Sequence, residues 1–276
     1  MTEVNKHPLD TSHIVYTVGT SEAYVHARNQ AEALDLDDSG RRRAAIRMAA
    51  TALSGEQESG YLTPEGHAMN VTAHLTDFSD SIQQLHELRH QHAHHKEKLP
   101  ALRKISEFNH AVKDMVDANP SLTFDEVLSF ILSMNQSING NNNTSYNFEE
   151  EVKQVLVGMS HEIAFEQMLG YMPDIEYKEA TIEDDLAGTD MFVSMNGSPM
   201  VSIDIKASLV RAQHAKDKAL YLGYNPDRII WSRLSNRDFN GFFRIPQDVA
   251  EERAVALHDD LVRAINSETV AVEQVA

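Results

Sequence analysis

The sequence predicts an α/β fold in its second half, preceded by an all-helical N-terminal region. Three observations carry this. Apolar residues recur at helical spacing with no convincing strand before residue 170. An asparagine-rich stretch then interrupts the chain at 135–147, and beyond it two β-like runs flank Asn196-Gly197 between helical patterns.

Residues 21–53 carry an Ala-rich helical pattern broken at Asp35–Gly40, after which Arg41-Arg42-Arg43 and Arg47 open a second helix. Gly55–Gly66 reads as a loop. From Met69 to Ala118 the pattern is helical, with an interruption predicted at Leu99-Pro100 because proline lacks the N–H donor and disfavours helix in the residue before it. Asn119-Pro120-Ser121 ends this stretch, and Thr123 can cap a helix from Phe124 to Met134. The run Asn139-Gly-Asn-Asn-Asn143 marks a boundary, so 1–147 is expected to be a helical domain for recognition, dimerisation or partner binding. An α/β domain then occupies 148–250, with a C-terminal helix and tail over 251–276. Its elements are expected to be a helix from Phe148 to Leu169 and a strand-rich region from Ile175 to Lys206. A helix from Leu209 to Leu222, a strand from Arg228 to Leu234, a helix from Pro246 to Ile265 and a frayed end from Ser267 follow.

The composition, 42% hydrophobic and 24% charged, is that of a globular chain. No apolar run approaches the roughly 18 residues of a membrane span, Met1–Asp10 lacks the pattern of a secretory signal, and no membrane partner is expected. The absence of cysteine excludes disulfides and thiolate metal sites and fits a cytoplasmic location. The formal charge of −18 opposes nucleic-acid binding by the chain as a whole. Lys206–Ala250, however, holds eight bases against four acids, a local basic footprint.

The segment Gly188-Thr-Asp190-Met-Phe-Val-Ser-Met-Asn-Gly-Ser-Pro-Met-Val-Ser-Ile-Asp204-Ile-Lys206 is the most informative. Asn196-Gly197 between β-like runs signals a hairpin. A two-residue loop would set Asp190 against Ile203 and mix polar and apolar groups on each face. A three-residue loop, Asn196 to Ser198, sets Asp190 against Asp204 and pairs Met191 and Val193 with Ile203 and Val201. Only the second register separates the faces: Met191, Val193, Val201, Ile203 and Ile205 on one, Asp190, Asp204 and Lys206 on the other. Two carboxylates at strand-pair distance repel, and a divalent cation between them makes the arrangement favourable.

This segment and its flanks resemble the restriction-endonuclease-like PD-(D/E)XK nuclease superfamily, closest to Holliday-junction-resolvase-like and Mrr-like members. The family core is a helix, a three-stranded meander, a helix and a fourth strand (α-β-β-β-α-β, a mixed sheet flanked by helices), an order matched by residues 158–234. The resemblance places the first motif aspartate on Asp190 and the (D/E)-x-K motif on Asp204-Ile205-Lys206. It places the acid of the leading helix on Glu162, or on Glu166; Glu183, Asp184 and Asp185 read as solvated loop acids, one of which could replace Glu162 as a ligand. Gly158-x-x-x-Glu162 followed by Leu169-Gly170-Tyr171 is similar to that leading helix; Thr189 stands where the motif name has proline. The resemblance implies a Mg²⁺-dependent deoxyribonuclease, with Mn²⁺ able to substitute. The metal would be held by Asp190, Asp204, the Ile205 carbonyl and Glu162, while Lys206 orients or activates the attacking water. Products ending in 3′-hydroxyl and 5′-phosphate would follow. Arg211, Gln213 and Lys216 on the next helix would contact the DNA backbone. The Gln-x-x-x-Tyr pattern of one exonuclease subgroup is absent, because Asp217 lies four residues after Gln213, which favours an endonuclease. A homodimer would suit cutting of both strands.

Two other readings stand beside this one. The fold could serve as a non-catalytic nucleic-acid- or protein-binding module. The cluster His86, His90, His92, His94 and His95 reads first as a polar helix, and as a metalloprotein site in the alternative, since His86 and His90 share a helical face. Arg41-Arg42-Arg43 reads as an exposed face able to add a nucleic-acid contact. Trp231, Phe239, Phe242 and Phe243 read as core.

Overall fold

A computed structural model describes residues 9–55, 63–139, 148–222 and 224–273. Most of the loop expected at Gly55–Gly66, all but the first residue of the asparagine run and the last three residues lie outside the described residues. The chain divides into two compact units, Met1–Lys153 and Gln154–Ala276.

The first unit is helical: α1 (Thr11–Thr20), α2 (Glu22–Ala31), α3 (Asp38–Gly55), α4 (Pro64–His90), α5 (His95–Ala118), α6 (Phe124–Asn139) and the first turns of α7 (Phe148–Leu169). Local capping sets these starts. The His13 N–H donates to Asp10 Oδ1 at 3.1 Å, the Tyr24 N–H to Ser21 Oγ at 3.0 Å and the Gly66 N–H to Thr63 Oγ1 at 3.1 Å. At α6 the Thr123 hydroxyl and Glu126 carboxylate cap each other's N–H groups, as the sequence predicts. The interruption expected at Leu99-Pro100 falls earlier, at 91–94. There His92 takes φ 53°, and the Glu97 carboxylate accepts the His94 N–H at 3.0 Å to restart the helix. Pro100 is carried inside α5, in its second turn, where it forgoes one helical hydrogen bond.

The arginine run knits this unit together instead of forming a free cationic face. Arg43 pairs with Asp80 at 2.9 Å, Arg47 with Asp77 at 2.6 Å, and Arg42 donates to the Ser137 carbonyl at 3.3 Å. Phe78 and Phe108 stack with ring centres 4.0 Å apart in the apolar interior between α4 and α5.

The second unit follows the order α7, β1 (Ile175–Glu179), α8 (Ile182–Leu186), β2 (Met191–Met195), β3 (Val201–Lys206), α9 (Leu209–Leu222), a 3₁₀ turn (Pro226–Arg228), β4 (Ile229–Trp231) and α10 (Gln247–Glu273). The sheet order is β1-β2-β3-β4; the first three strands are antiparallel and β4 runs parallel to β3, reached through α9. A parallel neighbour needs such a crossover, because a tight turn can only reverse the chain. The expected strand from Arg228 to Leu234 shrinks to three residues. Pro226 starts a 3₁₀ turn ahead of it, and Arg233 at φ 60° leaves the sheet after it.

The core of this unit joins Ala164, Phe165 and Met168 of α7, the inward residues of the strands, and Ala250, Ala254, Leu257 and Leu261 of α10. The last helix is therefore part of the fold and not an extension of it, and it runs past the expected end at Ile265 to Glu273. Its buried face predicts a contrast. Replacing Leu257, which is fully buried, by alanine should cost about 2–5 kcal/mol. Replacing the exposed Val255 should change stability by less than about 0.5 kcal/mol, both read from urea-unfolding midpoints.

Candidate functional site at the open end of the hairpin

The hairpin ladder follows the register that separates the faces: Met191 pairs with Ile203, Phe192 with Ser202 and Val193 with Val201. Met191, Val193, Val201, Ile203 and Ile205 are all buried, whereas Ser202, Asp204 and Lys206 are only half-buried. The turn differs from the three-residue loop expected. Asn196 and Gly197 both take positive φ (51° and 74°), and the Ser198 N–H donates to the Met195 carbonyl at 3.0 Å, which makes a two-residue turn. Pro199 and Met200 absorb the odd residue on the return, where proline has no N–H for the ladder.

At the other end Asp190 is not the ladder partner of Asp204. The paired register stops at Met191, the Asp190 N–H donates to the Ile203 carbonyl at 2.9 Å, and Asp190 Oδ2 accepts the Ile205 N–H at 2.6 Å. The carboxylate thus replaces a ladder carbonyl, which holds it at the strand end beside Asp204. Lys206 Nζ pairs with Asp204 Oδ1, and their side chains keep 30% and 21% exposure. Burial first, and the Asp204 charge second, push the Asp190 carboxyl up to about 7; Lys206 and the Ile205 N–H oppose the rise.

The region between β1 and β2, inside the stretch expected to be strand-rich and with 183–185 expected to be loop, contains α8. Thr181 and Asp184 cap it reciprocally, so Asp184 is committed to the helix start: the Thr181 N–H reaches Asp184 Oδ2 at 3.0 Å. Gly188 at φ 85° ends α8 in the left-handed conformation that glycine adopts without a steric penalty, and Asp190 follows two residues later. Asp185 of this helix acts electrostatically on Asp190. Glu162 and Glu166 lie half-buried on α7. Among the described residues no three histidine, aspartate or glutamate side chains come together as a metal-binding group. The structure thus brings Asp190, Asp204 and Lys206 together, with Ile205 contributing backbone, and adds Asp185 as a further acid that acts electrostatically on Asp190.

Sequence reasoning missed a buried pair behind this site. His161 Nδ1 lies 2.6 Å from Ser232 Oγ, both residues are buried, and the Ser232 N–H donates to the Lys206 carbonyl at 3.1 Å. The two partners are 71 positions apart, so no local pattern signals the contact. Of the backbone-contact candidates, Arg211 is exposed, Gln213 donates to Asp217 at 2.8 Å, and Lys216 is half-buried in a pocket beside β4. Trp231 lines that pocket and Phe242 is exposed, so only Phe239 and Phe243 are core as expected.

The histidines do not share one helix: they spread over the end of α4, the turn and the start of α5, all exposed. His86-Glu87-Leu88-Arg89-His90 does have the spacing of the H-E-x-x-H zinc motif, and the two rings meet edge to face at 4.5 Å. Glu87, however, accepts from Gln83 at 3.2 Å, and the described residues supply no third ligand.

Two pH responses of opposite sign follow. Burial lowers His161 from 6.5 to about 4, so the fold favours its neutral form. That contribution is complete above pH 6.5 and disappears as pH falls toward 4. His161→Gln should therefore lose less stability than the wild type across this interval, by about 3 kcal/mol. Asp190 is raised, so its charging costs stability as pH climbs from 3.8 through 7. Asp190→Asn should melt roughly 5 °C higher than the wild type at pH 8 without divalent cations; an unchanged melting temperature would contradict the burden placed on this carboxyl.

No protein-family model matches the chain, and no curated protein or solved structure matches it.

Proposed function

We propose that the second unit is a metal-dependent nuclease of the PD-(D/E)XK type, an endonuclease that hydrolyses phosphodiester bonds in DNA. The observation that supports this most is the crowding of Asp190 and Asp204 at one strand end, with the Asp190 carboxyl driven up to about 7. Such a pair is unfavourable for the fold and favourable for a divalent cation. Asp190, Asp204 and the Ile205 carbonyl fit Mg²⁺ or Mn²⁺ as hard oxygen donors, with Asp185 or Glu162 completing the set. When bound, the cation supplies Lewis acidity at the phosphate and a more acidic water.

The chain's own residues account for the rest. Asp204 orients the Lys206 ammonium, which is the group placed to hold the attacking water and offset the negative charge that develops on the phosphate. The Ile205 N–H keeps Asp190 aimed at the same point. Burial of Ile203 and Ile205 on the opposite face fixes the strand that carries both groups, so the site is preorganised by the core. A module that binds nucleic acid without cutting it is the second reading.

Purified protein incubated with Mg²⁺ or Mn²⁺ and circular, linear, single-stranded and branched DNA should cut at least one substrate. Chelation with EDTA should abolish cutting, and Lys206→Ala should reduce the rate by about a hundredfold or more while leaving DNA retention in a gel-shift assay unchanged. Equal cutting by wild type and Lys206→Ala, or none by the wild type, defeats the catalytic reading; retention without cutting favours the binding module.

A further inference from the structure

A second constellation lies one strand over from Lys206. Trp231 is the β4 partner of Lys206 in the parallel ladder, and its ring lines a pocket of about 190 Å³ between α9, β4 and α10. Three cations reach this pocket, Lys216 from α9, Arg233 after β4 and Arg263 from α10, against two carboxylates, Asp227 and Asp260. The guanidiniums are fixed in place. Arg233 donates from Nε and Nη2 to Asp260 Oδ2 at 3.0 and 2.8 Å and sits 5.8 Å from the Trp231 ring centre, while Arg263 pairs with the other oxygen of Asp260. To make this contact Arg233 holds φ 60°, a conformation that costs a non-glycine residue about 1–3 kcal/mol and concentrates at functional positions.

Two donors in the pocket lack acceptors. Lys216 makes no hydrogen bond or ion pair among the described residues, and the buried indole N–H of Trp231 has no partner there. One carboxylate holds two guanidiniums and the Lys216 ammonium is left without a bonded partner among the described residues: the component the pocket can take is an anionic oxygen acceptor. Its volume suits a group of a few heavy atoms, since one water occupies about 30 Å³.

We propose that this pocket is a phosphate-binding site that takes a phosphate of the nucleic-acid strand next to the one held at Asp190, Asp204 and Lys206. The chemistry of the pocket stands alone; only the assignment of the phosphate to a strand rests on the nuclease reading. Phosphate would bridge Lys216 and the outward N–H groups of Arg233 and Arg263, which Asp260 keeps in position.

Trp231 is the sole tryptophan of the chain and so reports on the pocket directly. The full-length protein is titrated, without divalent cations so that nothing is cleaved, with a short DNA duplex and separately with inorganic orthophosphate, while tryptophan emission is followed. The expected result is a saturable emission change with both, weakened about tenfold by Lys216→Ala and by Arg263→Gln, exposed or half-buried helix positions whose folding is checked by circular dichroism. For the duplex, Lys216→Ala should also lower the slope of log affinity against log salt by about 0.9. A response to the duplex alone still carries the proposal, as a site that recognises phosphate only within a strand. A response to orthophosphate alone overturns the strand assignment. No response to either, or one that both variants leave intact, overturns the pocket. Because emission is read without cleavage, a protein that responds here but cuts no DNA would remove the nuclease reading and not this one.

Discussion

The hydrogen bond from the Ile205 N–H to the Asp190 carboxylate joins the fold of the second unit to its chemistry. The alternation of β3 sends Val201, Ile203 and Ile205 into the core and leaves Asp204 and Lys206 on the opposite face. That alternation alone would leave Asp190, which lies before β2, free to point elsewhere. By accepting a donor that a ladder carbonyl would otherwise take, Asp190 is pinned to the same strand as Asp204 and Lys206. A slip of one residue would expose three apolar side chains and bury two charges, so the packing energy of the core guards the position of three polar groups.

Holding the groups there has a cost that appears as electrostatics. Asp190 is desolvated and faces a second carboxylate, and its one direct backbone bond with the nearby ammonium offsets this only in part. Lys206 pairs with Asp204 and not with Asp190, which leaves Asp190 the less compensated of the two. Strain of this sort survives where the surrounding structure over-determines it. Here the surroundings include the His161–Ser232 pair, which ties α7 to the residue after β4 whose N–H holds the Lys206 carbonyl. The lysine is thus fixed from both sides, by its carboxylate partner and through its own backbone.

How much of this the sequence discloses depends on the range of the interaction responsible. Helices α7 and α9 begin and end where expected, because their apolar spacing and their flanks are local signals. The hairpin register was legible because only one pairing separates polar from apolar faces. The turn was not, since the two-residue Asn196-Gly197 turn and the longer register both exist, reconciled at Pro199-Met200. Pro100 misled in another way: the break is made by His92 and by the Glu97 cap, and the proline lies inside the helix that follows. Contacts across many residues left no trace. His161 with Ser232, and Arg233 with Asp260, are chemically ordinary residues in sequence and become informative only when the fold brings them together. Asp185, one of the acids 183–185 that the sequence offers beside Glu162, sits on a short helix the pattern did not announce and acts electrostatically on Asp190.

Charge distribution removes the conflict between a formal charge of −18 and the polyanionic ligand proposed above. Fields in physiological salt decay over about 8 Å, so a phosphate responds to the groups beside it and not to the sum over the chain. The most conspicuous basic run, Arg41 to Arg47, is largely consumed within the helical unit by Asp77, Asp80 and a backbone carbonyl. The cations around β3 and β4 are disposed differently. Lys206 shares one carboxylate, Arg233 and Arg263 share another between them, and Lys216 has none among the described residues. Positive charge therefore exceeds its local partners beside Trp231, one strand from the crowded acids at Asp190 and Asp204. An acidic pair that attracts cations thus lies one strand from a cationic pocket that attracts anions, a pattern set by fewer than ten side chains whatever the remainder of the surface carries.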